Sequence, residues 1–216
     1  MAKYQSNSIK NIALLGHSGD GKTALAEAML LLAGAIDRIG GNLDFDPEEK
    51  KRGSSIAASL AAFDWKGKKI NLLDTPGYFD FAGEVKQALR AADTAVLVVD
   101  GKSGLKVGTE LAWDYADGMP KCFFVNKTDD ENANFDNVLA GLKDQFGNKV
   151  CPIFVPYEGE GKAKTFCNLI TGDAFEYDAK GNAKKVSVDM SKFDGVKEEL
   201  MEALAETDDD LMEKFL

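Results

Sequence analysis

The chain has 216 residues, 44% of them hydrophobic, and a formal net charge of -10 at pH 7. This length and composition predict a globular protein with one substantial core and room for a small additional subdomain. The acidic charge argues against a protein that covers a nucleic-acid backbone with Lys and Arg, and no apolar run approaches the length of a membrane span. We therefore expect a cytoplasmic protein with neither a membrane nor an extensive nucleic-acid surface as partner.

Short apolar runs alternate with stretches of helical periodicity along most of the chain. The runs lie at residues 12–15, 70–73, 95–99, 122–125 and 150–155. Such alternation predicts an α/β fold with a mostly parallel sheet and helices on both of its faces. Lys66, Gly67 and Lys68 separate two strand candidates too closely for a crossover helix, so we expect a hairpin and one antiparallel edge there.

From residue 160 the pattern changes to short strands followed by helical segments. Residues 180–182 predict a turn between two of these strands, and residues 192–205 and 208–216 predict helices. We expect one domain at residues 1–159 and a small inserted α+β subdomain at residues 160–216.

The thiol and imidazole groups are too few to suggest a metal site. The sequence holds three cysteines and one histidine, and Cys122, Cys151 and Cys167 form no CxxC pair. We expect these cysteines to be reduced core residues. With His17 as the only histidine, a site of imidazole and thiolate ligands is not expected.

Residues 16–23 match the pattern G-x-x-x-x-G-K-[ST] between the first predicted strand and the first predicted helix. Backbone N-H groups in such a loop, together with the helix N-terminus, suit a polyphosphate. Lys22 can reach the β- and γ-phosphates, and the Thr23 hydroxyl can hold Mg²⁺. The alternative is a glycine turn that happens to precede a lysine. If the loop binds phosphate, we expect nucleotide contacts from Gly16, His17, Ser18, Gly19, Asp20, Gly21, Lys22 and Thr23.

Asp74, Thr75, Pro76 and Gly77 end a later apolar run, where ligands bind in an open α/β sheet. Asp74 can accept a hydrogen bond from a water on Mg²⁺, and the Gly77 amide can touch a γ-phosphate. This segment would then sense whether that phosphate is present. The alternative is an ordinary Pro-Gly turn.

Asn126 and Asp129 offer an amide and a carboxylate at the spacing needed to read a purine edge. A carboxylate accepts from the N1-H and the exocyclic amine of guanine, whereas adenine has no donors at those positions. Lys127 can lie along the plane of the base. The alternative is a polar loop between a strand and a helix, but the order of the three motifs favours guanine.

These motifs and their surroundings resemble the GTP-binding domain of translational GTPases, and most closely elongation factor G and its paralogues. The resemblance runs through NIALLGHSGDGKT, DFDPEEKKRGSSI, NLLDTPGYFDFAGEVKQALRAAD, AVLVVDGKSGLKVGTE and FFVNKTD. It implies a P-loop GTPase fold with a small insertion, GTP and GDP as ligands, Mg²⁺ as cofactor, and hydrolysis stimulated by the ribosome. It also implies a switch on loss of the γ-phosphate, with Ser55 in place of a threonine that usually holds Mg²⁺.

Some positions depart from the family pattern. Tyr78 stands where elongation factor G usually has a histidine that helps to position the attacking water. A phenol can donate or accept a hydrogen bond but forms no cation, so Tyr78 either positions water or packs in the switch. Gly19 stands where the family usually has an aspartate, with Asp20 one position later, which argues against the monovalent cation site of some relatives. We expect His17 to pack or hydrogen-bond rather than to act as a base.

The leading interpretation is a monomeric, Mg²⁺-dependent GTPase domain in which Lys22, Gly77 and Tyr78 serve hydrolysis. The family's last guanine-contacting segment is not found before Leu216, so we expect a GTPase domain cut within itself. Turnover should be slow because no base or arginine finger is evident, with Arg52 a weak candidate. The alternatives are a GTP/GDP-sensing ribosome-binding module with little hydrolysis and a P-loop kinase or ATPase.

Overall fold

The computed structural model describes residues 4–147, 150–157, 164–178 and 181–215. The chain divides into two compact units, one that ends at Asn134 and one that begins at Phe135. The predicted domain boundary between residues 159 and 160 lies outside the described residues. Within the described ranges, no helix is long and apolar enough to span a bilayer.

The first unit is built on a mixed sheet. Its strands are β1 Ile9–Leu15, β2 Ser59–Trp65, β3 Lys68–Asp74, β4 Thr94–Asp100 and β5 Lys121–Asn126. They lie in the order β2-β3-β1-β4-β5, with β2 antiparallel to β3 and every other neighbouring pair parallel. Lys66 and Gly67 join β2 to β3 with positive φ angles of 47° and 76°, as a two-residue hairpin turn requires. The predicted parallel sheet with one antiparallel edge is confirmed.

Helices pack on both faces of this sheet. The helices of the unit are α1 Lys22–Leu32, α2 Pro47–Arg52, α3 Ala82–Ala91 and α4 Val107–Tyr115. Because successive side chains of a strand point to opposite faces, Leu15 packs with Val85 of α3 and Ala112 of α4. Its neighbour Leu14 packs instead with Leu30 of α1. The predicted cover on both faces is confirmed, and the carboxyl ends of the parallel strands are left to carry loops.

The second unit combines an antiparallel sheet with helices. It contains α5 Phe135–Phe146, β6 Phe154–Tyr157, β7 Lys164–Asn168, β8 Ala174–Tyr177, β9 Ala183–Val186, α6 Asp194–Ala205 and α7 Asp209–Phe215. The strands pair in the order β6-β7-β8-β9 around a core that includes Val155, Leu169 and Leu200. The predicted α+β character and the two C-terminal helices are confirmed. Part of the predicted turn at residues 180–182 lies outside the described residues.

The apolar run at residues 150–155 does not add a strand to the parallel sheet. The strand found at this place, β6, begins at Phe154 and pairs antiparallel with β7. The prediction of a further parallel strand is therefore wrong. A short apolar run is compatible with either kind of sheet, and only its partner strand decides between them.

The cysteines differ in burial. Cys167 is fully buried in the core of the second unit, Cys151 is half-buried and Cys122 is exposed. Cys122 lies on the edge strand β5 next to Phe123, which packs against the core of its sheet. The prediction of a core thiol is therefore wrong for Cys122, because alternation along the strand directs it away from the face that Phe123 covers.

Candidate nucleotide site

The sequence motifs start from one edge of the sheet. In its register, Leu14 of β1 lies beside Asp74 at the end of β3, and Asp100 at the end of β4 lies beside Asn126 at the end of β5. The phosphate loop (residues 16–23), the DTPG motif (74–77) and the NKTD motif (126–129) therefore all leave the carboxyl ends of parallel strands. This is where an open α/β sheet binds its ligands.

The phosphate loop turns tightly between β1 and α1. Gly16, Gly19 and Gly21 have φ angles of 137°, 84° and 92°, a region that residues with a Cβ rarely adopt. A methyl group at Gly16 would lie 2.4 Å from the carbonyl oxygen of Val98 on β4. Since α1 begins at Lys22, its N-terminal amides lie at the end of this loop, where they suit an anion.

Lys22 is buried, and its ammonium lies within the loop. Nζ donates to the carbonyl oxygens of Gly16 and His17, each at 3.0 Å. Burial lowers the pKa of Lys22, while nearby carboxylates, first that of Asp74, act in the opposite direction. The ammonium is thus placed where it could add positive charge to phosphates held by the loop.

The side chains predicted to hold a metal lie together, and Asp44 joins them. The hydroxyl oxygens of Thr23 and Ser55 are 3.2 Å apart, and Ser55 Oγ donates to Asp44 Oδ1 at 2.8 Å. The Asp74 carboxylate lies close enough to Thr23 and Asp44 for both to shift its pKa. Hydroxyl and carboxylate oxygens are the hard ligands that Mg²⁺ prefers.

The surroundings of the Asp74 carboxylate indicate whether a cation fits beside Thr23 and Ser55. Its side chain is 1% exposed, and neither carboxylate oxygen meets hydrogen-bond geometry with a described residue. Burial raises the pKa of Asp74 to about 6, while the Thr23 hydroxyl and the Lys22 ammonium lower it. A buried carboxylate of this kind is costly unless a cation or donor reaches it, so these residues fit Mg²⁺.

Among the described side chains, no group of three or more His, Cys, Asp or Glu could hold a metal. Hydroxyls and phosphate oxygens would therefore complete the shell.

Two buried carboxylates organise the segment that precedes β2. Glu27 on α1 accepts from the backbone amide of Asn42 at 2.6 Å. Glu49 on α2 accepts from the amide of Ile56 at 2.9 Å and completes a capping box at the start of its helix. These bonds fix the backbone before and after α2. They thereby also fix the part of the segment that carries Ser55.

The DTPG motif lies against the phosphate loop. Thr75 Oγ1 donates to the carbonyl oxygen of Leu14 at 2.6 Å, which holds the motif to the end of β1. A methyl group at Gly77 would lie 2.5 Å from both Lys22 Nζ and the Ser18 amide nitrogen. The Gly77 backbone is therefore next to two donors that could contact a terminal phosphate.

His17 and Tyr78 differ in their surroundings. The His17 ring packs 5.8 Å from the ring of Phe79, and its Nδ1 is buried without a described hydrogen-bond partner. A methyl group at Gly108 would lie 2.6 Å from that nitrogen. This environment favours packing for His17, whereas Tyr78 is 50% exposed and its phenol can meet water. Arg52 is exposed and pairs with the glutamate one turn earlier on α2.

The NKTD motif is tied to the phosphate loop by its first two residues. Asn126 Nδ2 donates to the carbonyl oxygen of Asp20 at 2.9 Å. Lys127 Nζ donates to the carbonyl oxygen of Gly19 at 2.6 Å. Asp129 is exposed in the turn that follows β5. The structure thus brings Asn126 and Lys127 onto the loop and leaves the Asp129 carboxylate open to solvent.

Asp100 supports this arrangement from the end of β4. Its Oδ2 is 2.9 Å from Lys127 Nζ, and its Oδ1 accepts from the amides of Lys102 and Ser103. Burial raises the pKa of Asp100, but the two amides and the Lys127 ammonium together lower it by more, so the net pKa is well below the usual range. Asp100 stays ionised and holds the Lys127 ammonium in place.

Three residues in or beside the site were not predicted from the sequence: Asp44, Asp100 and Lys106. Asp100 could have been found, because an acid that ends a buried strand beside another motif is a candidate by position alone. Asp44 carries a weaker signal, since it precedes the capping box of α2. Nothing in the pattern predicts that Lys106 Nζ lies 2.6 Å from Oδ1 of Asp20 in the phosphate loop.

Known proteins resemble this chain over nearly its whole length. The family described as Elongation factor Tu GTP binding domain matches residues 7–216. A protein from Thermotoga maritima named Elongation factor G-like protein is 36% identical over 212 residues, which cover 96% of this chain and 31% of that protein. A crystal structure of a protein from Thermus thermophilus is 34% identical, with a TM-score of 0.89, and the match covers 96% of this chain and 33% of that one.

This chain therefore spans about a third of the length of these relatives. Nearly all of it falls within the matched family, and the fold and the order of the motifs are those of a GTP-binding domain. The chain belongs to the elongation factor Tu GTP-binding domain family.

Proposed function

We propose that this chain binds GTP and GDP between the phosphate loop and the NKTD motif and hydrolyses GTP slowly unless a partner stimulates it. The observation that carries the proposal is the pair of contacts between the two motifs. Asn126 donates to the Asp20 carbonyl and Lys127 to the Gly19 carbonyl. A motif suited to a base and a motif suited to phosphates are thereby joined, so one nucleotide can engage both.

The phosphates would be held by the loop backbone and by Lys22. The amides of His17, Ser18, Gly19, Asp20 and Gly21 and the N-terminus of α1 would donate to phosphate oxygens. The buried Lys22 ammonium would exchange its loop carbonyls for the β- and γ-phosphates. Thr23, Ser55 and Asp74, supported by Asp44, would hold Mg²⁺. When bound, this ion would neutralise charge on the β- and γ-phosphate oxygens.

The base would be selected by Asp129. Its exposed carboxylate would accept from the N1-H and the exocyclic amine of guanine, while Lys127 would cover the plane of the base. Adenine would leave the carboxylate without donors once the base covers it. Such an unpaired group costs on the order of 1–3 kcal/mol, and more when it is charged. The match to a GTP-binding domain family argues against the kinase or ATPase alternative.

The chemical step would take place beside Gly77 and Tyr78. The position of Gly77 next to the Ser18 amide and Lys22 Nζ supports contact between its own amide and the γ-phosphate. The exposed Tyr78 phenol could hydrogen-bond the attacking water but supplies no positive charge. Since Arg52 pairs within its own helix, unaided turnover is expected to be slow.

The proposed partner is the ribosome. The relative named Elongation factor G-like protein supports this choice. The proposal also places the chain in the cytoplasm as a monomer.

A second candidate is a GTP/GDP-sensing ribosome-binding module with little hydrolysis. Tyr78 favours it, because a neutral phenol that is half exposed gives less help to an attacking water than a charged group would. In this case Gly77 would still report the presence of the γ-phosphate.

Single-turnover GTP hydrolysis with and without ribosomes tests both candidates. The proposal predicts a slow reaction of the chain alone, an increase of about tenfold or more with ribosomes, and no reaction by the Lys22→Ala variant. Binding of GTP without stimulated hydrolysis would favour the sensing module, and the Tyr78→His variant should then gain activity. A chain that binds neither GTP nor GDP would overturn both candidates.

A further inference from the structure

The phosphate loop contains a carboxylate where the proposed ligand is itself an anion. The side chain of Asp20 is fully buried between Gly19 and Gly21. Its Oδ1 is 2.6 Å from Lys106 Nζ, and its Oδ2 is buried without a described hydrogen-bond partner. The Lys106 ammonium is the cation that lies against this carboxylate. Without it, the carboxylate would lose its direct ion pair and keep the longer-range attraction of the Lys22 ammonium.

Lys106 is held in place by its own surroundings. It precedes α4, and its carbonyl oxygen accepts from the amides of Thr109 at 2.8 Å and Glu110 at 3.3 Å in the first turn. Its side chain is 24% exposed, so most of the stem is covered while water still reaches part of it. The backbone before α4 therefore presents the ammonium to the loop from a fixed point.

Asp20 is also held by the NKTD motif. The Asp20 carbonyl accepts from Asn126 Nδ2 at 2.9 Å, while its carboxylate pairs with Lys106. Asp20 thus connects the phosphate loop to two other loops at the same edge of the sheet. Removing the charge of the Asp20 side chain should therefore affect the loop backbone on both sides of Asp20.

We propose that Lys106 is a positioning residue for nucleotide binding: by pairing with the buried Asp20 carboxylate, it keeps the phosphate loop closed and able to accept a polyphosphate. Lys106 acts through Asp20 and touches no phosphate itself. The inference rests on the proposed binding of GTP and GDP at this loop. It adds a requirement that the signature pattern does not contain, namely a cation supplied by the loop before α4.

Charge-removing variants of the pair separate this role from simple packing. The variants are Lys106→Met, Asp20→Ala and the double variant with both changes, and Lys102→Met serves as the control. Lys102 lies in the same loop before α4, but its ion pair is an exposed one with Asp130 at 3.6 Å. The measurements are the dissociation constant of a fluorescent GDP analogue and amide hydrogen exchange of residues 16–23 in the nucleotide-free chain.

We expect Lys106→Met to weaken GDP binding by about tenfold or more and to speed exchange in the loop, because a buried carboxylate that has lost its partner is strongly unfavourable. Asp20→Ala should change affinity much less, since Lys106 can turn to water. The double variant should recover most of the affinity lost by Lys106→Met, because no unpaired charge remains. Lys102→Met should behave as the wild type.

The inference is overturned if Lys106→Met matches Lys102→Met, or if the double variant is as weak as Lys106→Met. The second result would mean that the Lys106 stem acts by packing alone. If the wild type binds no guanine nucleotide, the proposed function fails, while the exchange comparison still decides whether Lys106 closes the loop through Asp20.

Discussion

Lys22 and Asp74 are buried groups of opposite charge. Burial lowers the pKa of Lys22 and raises the pKa of Asp74, and so favours the neutral form of each. They differ in how the chain compensates them. Lys22 donates to two carbonyl oxygens of its own loop, whereas Asp74 has no described donor in hydrogen-bond geometry. The ionised form of Asp74 is therefore costly in the free chain.

The pH dependence of stability should reveal this cost. The pKa of Asp74 is raised from 3.8 to about 6, so between these values the folded chain holds a proton that the unfolded chain has released. Stability contributed by Asp74 therefore falls as the pH rises through this window, by about 3 kcal/mol in total. The variant Asp74→Asn should match the wild type near pH 4 and be more stable by roughly that amount at pH 7.

Chemical denaturation at both pH values in a chelating buffer measures this difference. The comparison with Asp74→Asn removes the opposite trend from Asp100, whose lowered pKa makes its contribution fall as the pH decreases. A stability difference that is the same at pH 4 and pH 7 would show that Asp74 does not titrate in this way.

Among the elements, the phosphate loop is closely constrained by its backbone. Gly16 and Gly19 both have positive φ, but a methyl group at Gly16 would lie 2.4 Å from a backbone oxygen of β4, whereas the space at Gly19 is open. We expect Gly19→Ala to cost about 1–2 kcal/mol of unfolding free energy, from the left-handed conformation alone. Gly16→Ala should cost at least twice as much, because β4 must also move. Urea unfolding of the two variants tests this, and equal midpoints would contradict the described path of the loop.

The elements of the first unit could be predicted because their signals are local. The turn at Lys66 and Gly67 fixes the hairpin, and the apolar runs of β1, β3, β4 and β5 are short and bounded by polar motifs. The run at residues 150–155 carries the same local signal but pairs with β7. Periodicity describes the faces of a strand and not its partner, so this error could not be avoided from the run itself.

At the level of the whole molecule, the convergence of the motifs could be predicted from topology. Parallel strands place their carboxyl ends at one edge, and the contact between Asn126 and the phosphate loop follows from this rule. The pair of Lys106 and Asp20 could not be predicted in this way. It joins residues far apart in the chain through side chains that no motif specifies, and only the packing of α4 brings them together.

The division of the chain also depends on packing rather than on composition. The compact units separate between Asn134 and Phe135, where the sequence shows no change of pattern. The change that the sequence does show, near residue 160, falls outside the described residues. α5 therefore groups with the second unit through contacts that its own amphipathic pattern does not reveal.

In the proposed site, a guanine nucleotide is held by the phosphate loop and the NKTD motif together. Competition between GDP and ADP for a bound fluorescent GDP analogue tests it most directly, with Asp129→Ala as the matched variant. GDP should displace the analogue at a concentration about a hundredfold or more below that of ADP. In Asp129→Ala this preference should shrink to about tenfold or less, while phosphate contacts still support binding. Equal displacement of the analogue by GDP and ADP from the wild-type chain would show that the NKTD motif does not select guanine.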